Sequence, residues 1–330
     1  GYPSSGYVDR NIAPAYRNHY FALFLNDDWK LSSRLTVNLG LRWDYESPIS
    51  DRYNRQLRGF DTSVTNPLAS QVNGLDLLGV VRYAGVNGVS EGAFDKDLNN
   101  FQPRVGAAYR INDKLVIRGG YRMFVLGQSA YGASSGYSQT TNVITSTDGN
   151  LTPAVTLNNP FANYTNGQLL TPVGNSLGDS SLIGQNLTVN YTKRPLAYSQ
   201  QFSFDIQYEL PGNILAEIGY TGNYSDKLPI TVNNINVMPA SEMGRYTSSG
   251  AIDTAYYTQK VANPMAGLIP SNASLNGATI ARELLLIPFP QYGTIQLQNV
   301  PIGKQRYHGM QLKVTKRYSN GVAFVANYGI

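Results

Sequence analysis

The sequence predicts an all-β fold: an antiparallel transmembrane β-barrel, present in part, with about eight strands in four hairpins. Three observations predict it. Segments of alternating apolar and polar residues recur, as in RLTVNLGLRWDYE, residues 34–46, whose odd positions Leu35, Val37, Leu39, Leu41, Trp43 and Tyr45 are apolar. Its even positions are Thr36, Asn38, Gly40, Arg42, Asp44 and Glu46. Successive side chains of a strand point to opposite faces, so this is one apolar and one polar face. The links between such segments alternate strictly between very short and very long. Finally, no apolar run approaches the roughly 18 residues of a membrane helix; the densest is Leu284, Leu285, Leu286 and Ile287. A membrane protein of this composition is a barrel, because only helices and closed barrels satisfy their backbone in lipid.

Composition narrows the function classes. The 330 residues suffice for two soluble domains or one large β-domain. Charged residues are 14% and aromatic residues 11%, with 24 tyrosines, a balance poor in charge for a cytosolic enzyme. Cysteine is absent, which excludes disulfides, thiol catalysis and Cys-ligated metal. The net charge of +5 is dispersed and forms no basic run, so nucleic acid is not an expected partner. The chain starts GYPSSGYVDR, without a signal-peptide pattern, and stops within the alternating segment VAFVANYGI. Both ends read as cut, and the expectation is an internal fragment of a longer protein.

Four hairpins follow from the pattern. The first, near 19–46, links HYFALFLNDDWK to the segment above through Leu31, Ser32 and Ser33. The second, near 101–126, turns at Asn112, Asp113 and Lys114. The third, near 197–225, turns at Pro211, Gly212 and Asn213, and the fourth, near 304–330, at Ser319, Asn320 and Gly321. Asn-Asp, Pro-Gly-Asn and Asn-Gly between alternating runs are hairpin signals. Residues 53–100, 127–195 and 226–303 are long loops rich in Gly, Ser, Thr, Asn and Pro. Compact soluble domains use connections of roughly 4–6 residues. Outer-membrane barrels instead keep short turns at the periplasmic end and long loops outside.

Aromatic placement agrees. Trp29, Tyr109, Tyr208 and Tyr318 come just before a short turn, and Trp43, Tyr121, Tyr220 and Tyr328 several residues after it, as in the two girdles of a barrel. An Arg facing lipid at mid-bilayer costs roughly 2–4 kcal/mol, so Arg118, Arg122 and Glu217 are expected to face the lumen. Arg104 and Asp205 fall on the same polar face. Lys316 falls on the outward face but close to its turn, where it can snorkel, and Asp27 sits similarly. The first arm is the least clean, with Tyr20 and Phe24 on the lumen side.

Other chemistry is weaker. Residues 132–136 match G-x-S-x-G around Ser134, and Asp148 or Asp179 with His308 would complete a hydrolase order. The motif needs a strand-to-helix elbow, and the following GYSQTTNVITSTDGN has no helical period, so it reads as a surface loop. Asp95, Lys96, Asp97 and Asn99 open like a calcium loop, but Asn100 and Gly106 stand where Gly and Glu are required. His19 and His308 lie on different hairpins and form no metal pair. Asn163, Asn186 and Asn190 begin glycosylation-type triplets that chance explains in Asn- and Thr-rich loops. No catalytic residue, metal or cofactor is expected. Tyr137, Tyr164, Tyr191, Tyr256 and Tyr257 lie in the long loops and are either ligand-stacking groups or loop packing.

The hairpin FLNDDWKLSSRLTVNLGLRWDYE, residues 24–46, resembles the recurrent hairpin of TonB-dependent outer-membrane receptors, most closely the Oar-like group that carries a carboxypeptidase-regulatory-like domain. FQPRVGAAYRINDKLVIRGGYRMF, YSQQFSFDIQYELPGNILAEIGYTGN and PFPQYGTIQLQNVPIGKQRYHGMQLKVTKRYSNG are similar to further hairpins of that group. The resemblance implies a large plugged barrel of about 22 strands. It implies active import of a scarce solute (an iron chelate, cobalamin, an oligosaccharide or a peptide), energised by the TonB complex. Lumen-facing Arg104, Arg118, Arg122, Asp205 and Glu217, by their position on the polar face, are expected to contact plug or solute. No plug, TonB box or regulatory-like domain is recognisable in the chain. The rival readings are a passive porin or structural surface barrel, and a secreted soluble β-rich adhesin or glycan-binding protein.

Overall fold

The computed structural model describes residues 1–127, 137–146, 151–164, 167–319 and 321–330. In chain order the strands are β1 (Tyr7–Asn11), β2 (Tyr16–Arg17), β3 (Tyr20–Lys30), β4 (Leu35–Glu46), β5 (Ser50–Asp51), β6 (Leu57–Thr65), β7 (Leu78–Tyr83), β8 (Phe101–Arg110) and β9 (Leu115–Val125). There follow β10 (Ser138–Asn142), β11 (Leu187–Asn190), β12 (Tyr198–Leu210), β13 (Ile214–Val232), β14 (Lys260–Ala262), β15 (Thr279–Ala281), β16 (Ile295–Ser319) and β17 (Val322–Gly329). Two short helices, α1 (Thr254–Thr258) and α2 (Ala273–Asn276), lie in the third long loop.

The eight expected strands form one antiparallel meander in the order β3-β4-β8-β9-β12-β13-β16-β17. A ninth strand, β11, runs parallel to the start of β16, pairing Leu187 with Ile295. The sheet is open: among the described residues β3 and β17 are each paired on one side only.

Local chemistry sets the turns. Ser32 Oγ accepts the backbone N–H of Leu35 at 3.0 Å. Asn112 Oδ1 accepts from Lys114 and Leu115, both at 2.9 Å. Gly212 and Asn213 carry φ of +82° and +58°, the left-handed pair that a tight hairpin needs. Lys316 reaches to the turn end of the sheet, donating to Gly212 O of the third hairpin's turn at 2.8 Å and to Ser319 Oγ of its own turn at 3.0 Å, which keeps its charge out of the apolar band.

Cross-strand register fixes the faces. Leu35, Val37, Leu39 and Leu41 lie across from Tyr109, Ala107, Val105 and Pro103. Val105 and Tyr109 lie across from Tyr121 and Ile117, which lie across from Phe202 and Ile206. The same face continues through Ile218, Leu312 and Tyr328. All four aromatics after the short turns share it, and Trp43 and Phe21 stack on Tyr45 with ring centroids 6.4 Å away.

Among the described residues no protein layer covers that face. Leu23 and Leu25 are 70% and 76% exposed, and Val105, Phe204, Ile218 and Phe324 are exposed as well. The buried apolar core lies in the loops. One cluster joins Leu57, Val81 and Tyr83 of the first loop to Leu187 and Val189 of the second and Phe289, Tyr292 and Ile295 at the end of the third. Another joins Leu68, Val72 and Leu77 to Met265, Ile269, Leu275 and Ile280. Each fully buried Leu, Ile or Phe contributes about 1.5–3 kcal/mol of transfer free energy, so the loops hold one another in place.

The structure therefore departs from the sequence expectation in three respects. The long loops are folded rather than irregular, with the hairpins β6–β7 and β14–β15 inside them. Residues 1–18 belong to the same assembly, since β1 pairs with β10 and β2 with β5. The third and fourth hairpins continue past residue 225 and start before residue 304, reaching Val232 and Ile295. The alternation is broken there by register shifts around Leu228 and Ile230, and Pro229 stands across from Pro301. Proline cannot donate to a ladder, so those positions read as loop in the sequence. The apolar run at residues 284–287 packs in part against the second cluster, through Leu284 and Leu285.

Candidate functional site

The face opposite the bare apolar one is polar, and all five sequence-predicted wall residues lie on it. Arg104 stands directly across from Arg122. Arg118 stands across from Asp205, which stands across from Gly219. Glu217 pairs with Lys313 at 3.1 Å and accepts a hydrogen bond from Gln207. Arg122 donates through Nε to Gln201 Oε1 at 2.7 Å.

Arg42, not singled out from the sequence, completes this surface. It pairs with Asp44 at 2.7 Å and donates to the Tyr20 hydroxyl at 2.8 Å. The signal was present, because Arg42 occupies a polar position in the alternation of residues 34–46. A groove of about 330 Å³ runs between Phe24, Asn26, Arg42, Gln102, Arg104, Arg122 and Phe124. A second, of about 300 Å³, shares Arg104 and Arg122 and adds Asn38, Gln201, Ser203 and Thr221. Three guanidinium groups on adjacent strands make this part of the wall a cationic surface suited to anionic groups.

The loops form a cap at the end opposite the short turns. Asn66 Nδ2 donates to Gly79 O at 2.8 Å and to the Tyr292 hydroxyl at 3.2 Å. Phe60 packs edge-on against Phe289 and Tyr292, with centroids at 4.9 and 5.5 Å. Burial pushes the Tyr292 hydroxyl up to about 12 and raises that of Tyr83 too. Arg82 bridges Asp179 at 2.6 Å and Asp61 at 3.7 Å. At the N-terminal segment the Asp51 carboxylate is buried and accepts from Ala15 N at 2.9 Å and Arg55 N at 3.1 Å. Burial alone would raise its pKa, but these N–H groups and the Arg55 guanidinium outweigh it and hold the carboxyl below the usual range.

The five loop tyrosines are not brought together as one surface. Tyr137 and Tyr257 are buried: Tyr137 sits edge-on to Tyr16 at 5.8 Å, and the Tyr257 hydroxyl donates to Glu242 O at 2.6 Å. Tyr164 is half-buried and donates to Asn142 O at 2.8 Å. Tyr191 is half-buried beside β16, its N–H donating to Gln298 O at 2.9 Å. Tyr256 lies between the Arg245 and Arg282 guanidiniums, at 3.9 and 4.0 Å from its ring centre.

The other sequence candidates are separated. Residues 132–136 and Asp148 lie outside the described residues. Asp95 pairs with Arg58, and Asp97 accepts from Leu196 N at 2.7 Å. Among the described residues no group of three or more His, Asp or Glu side chains is placed to hold a metal ion. His308 hydrogen-bonds the Tyr220 hydroxyl at 2.6 Å on the apolar face.

Comparison with known proteins gives one family. The model of the outer membrane beta barrel domain matches residues 1–329. No curated protein matches the chain. Among solved structures it is similar to the alcaligin outer-membrane receptor FauA of Bordetella pertussis, at 12% identity and a TM-score of 0.33, over 97% of this chain and 32% of that one. It is similar to the ferripyoverdine receptor of Pseudomonas aeruginosa, at 11% identity and a TM-score of 0.35, over 96% of this chain and 23% of the other. The siderophore receptor PirA from the same organism gives 10% identity and a TM-score of 0.35, over 96% and 43% of the two chains. The chain thus spans between about a quarter and two fifths of the length of these structures.

Proposed function

The chain belongs to the outer membrane beta barrel domain family, its wall stands in the outer membrane of a Gram-negative-type bacterium, and from that premise we propose that it is a sector of a TonB-dependent receptor of the Oar-like group. In this reading the receptor binds a scarce solute at its loops and imports it actively through the lumen. The chain is an internal piece of that receptor. Its plug and TonB-contacting parts lie in the longer protein, and a soluble adhesin is set aside by the family.

One observation carries the reading. Three long loops interlock through two shared cores, and they rise from a wall whose inner face is polar and cationic. β13 and β16 are 19 and 25 residues long, against about 9–11 residues needed to cross a bilayer. That extra length reaches into the cap. A passive porin needs an open mouth; a folded cap suits recognition. Arg42, Arg104 and Arg122 favour a solute or plug surface that carries negative charge. The hairpin at residues 24–46 supports the subgroup.

The test is uptake by cells carrying the parent gene or its deletion, measured for a ferric chelate, cobalamin, an oligosaccharide and a peptide, with and without a protonophore. Energy-dependent uptake of one of them, lost in the deletion, supports the receptor. Uptake that survives the protonophore means a passive pore. Arg104→Glu with Arg122→Glu in the complete receptor is expected to lower uptake at least tenfold. Unchanged uptake and unchanged plug docking would remove these residues from the site.

A further inference from the structure

The third long loop builds a pocket of its own, which shares no residue with the grooves of the wall. Local chemistry shapes it. Tyr246 bridges Ile252, and Thr247 N donates to Ala251 O at 2.7 Å, so a tight turn sets Ile252 in place. Asp253 then caps α1 by accepting from Tyr256 N at 3.1 Å. The Tyr257 hydroxyl donates to Glu242 O at 2.6 Å and accepts from Arg245 N at 3.3 Å, which fixes its ring. Behind it Tyr256 stands edge-on at 5.4 Å, itself clamped between Arg245 and Arg282. The result is a pocket of about 250 Å³ walled by Met238, Met243, Ile252 and Tyr257, with Glu283 as the charged residue of its lining.

Shape and charge identify the occupant. The mouth is open, with Met243 and Ile252 46% and 57% exposed. Apolar side chains left open in a folded loop gain free energy when a ligand covers them, and methionine adapts to what it meets. A cavity of roughly 150 Å³ already holds a benzene ring, so this one has room for a large apolar side chain. Glu283 forms no ion pair among the described residues. The nearby cations are engaged elsewhere: Arg245 pairs with Asp253 at 3.3 Å, and Arg282 donates to Tyr256 O at 3.3 Å. An apolar cup with one free carboxylate selects an apolar group with a cation beside it. A peptide N-terminus has that form, because its ammonium and its first side chain leave the same Cα. A lysine side chain does not, since a four-carbon stem separates its charge from the backbone.

We propose that this pocket binds the N-terminal residue of a short peptide, with its apolar side chain among Met243, Ile252 and Tyr257 and its ammonium on Glu283. The inference rests on the receptor reading and names the solute class there as peptide. Such a solute also carries the C-terminal carboxylate that Arg42, Arg104 and Arg122 favour.

The experiment is calorimetric titration of the complete protein in detergent with the amidated peptide Ile-Ser-Gly-Gly, its N-acetylated form and Gly-Ser-Gly-Gly. The amide removes the carboxylate, so the cationic wall does not compete. Wild type is expected to bind the first peptide at least tenfold more tightly than either of the others. Glu283→Gln is expected to abolish the dependence on the free ammonium, and Ile252→Trp, which fills the cup, the dependence on the first side chain. Arg104→Glu with Arg122→Glu should leave both untouched. Equal binding of the free and acetylated peptides by wild type, no binding of any, or an unchanged preference in Glu283→Gln overturns the proposal. So does equal binding of an acetylated peptide with an internal lysine. Binding is read apart from uptake: ammonium-dependent binding by a protein that imports nothing keeps the site and removes the transport reading, whereas import of another solute without this binding does the reverse.

Discussion

Arg104 of β8 lies directly across from Arg122 of β9 on the polar face of the wall, and neither forms an ion pair among the described residues. Like charges facing each other on neighbouring strands destabilise by about 0.2–1 kcal/mol. A wall built for stability alone has no need of them. Arg104→Gln is therefore expected to leave the complete protein as stable in detergent, or slightly more so, while weakening its hold on an anionic lumen occupant. Thermal unfolding checks this. A loss above about 1 kcal/mol would mean that Arg104 is a structural group of the wall.

Gly119 and Gly120 give a matched test of the two faces. They are neighbours in the middle of β9, and a Cβ at either meets nothing nearer than 3.6 Å. Gly119 is on the apolar face and Gly120 on the polar one. Gly119→Arg is expected to cost roughly 2–4 kcal/mol of folding into bilayers. Gly120→Arg should cost only the few tenths that repulsion from Arg118 and Arg122 brings. Equal costs in a denaturant titration in liposomes would mean the faces are assigned wrongly.

The cap should fail separately from the wall. Leu57 is fully buried among residues of all three loops, so Leu57→Ala is expected to cost about 2–5 kcal/mol. Gly79 has φ +94°, and a Cβ there would sit 2.5 Å from the Phe60 ring and 2.7 Å from that of Phe289, so Gly79→Ala should do comparable damage. Protease added to intact cells reads the outcome. Faster cleavage within residues 53–100 and 226–303, with an unchanged heat-resistant wall, is expected. Resistance equal to wild type would mean that the loops do not depend on their shared core.

The Asp51 contact is expected to be pH-dependent. Its folded pKa is lowered below the ordinary 3.8. The stabilisation is thus fully present above about pH 4 and is lost as pH falls through the folded value. Losing a hydrogen-bonded buried carboxylate costs about 1–3 kcal/mol. Protection of the Ala15 and Arg55 amides, relative to their intrinsic hydrogen-exchange rates, should fall between about pH 4 and about pH 2 (from the ordinary carboxyl value downward) in wild type. Asp51→Asn should show faster exchange at both ends and no step. A step that persists in Asp51→Asn would assign it to another group.

The wall was legible in the sequence. A side-chain period of two is local, so the alternation at residues 34–46 was enough to predict that strand and both its faces, and the alternation at residues 115–121 and 214–220 put Tyr121 and Tyr220 on the apolar side. The turns were legible for the same reason, since Ser32, Asn112 and Asn213 act on backbone groups within a few residues of themselves. The cap was not. Leu57, Leu187 and Tyr292 are buried against one another from three separate loops, and no periodicity links positions so far apart. Tyr137 and Tyr257 show the same limit, because burial distinguishes a packed tyrosine from an exposed one and burial is a property of neighbours. The cationic groove stands between the two cases. The sequence put Arg42, Arg104 and Arg122 on the polar face one strand at a time. Only the register of β4, β8 and β9 set them side by side, because cross-strand pairing, unlike alternation, depends on where two distant segments meet.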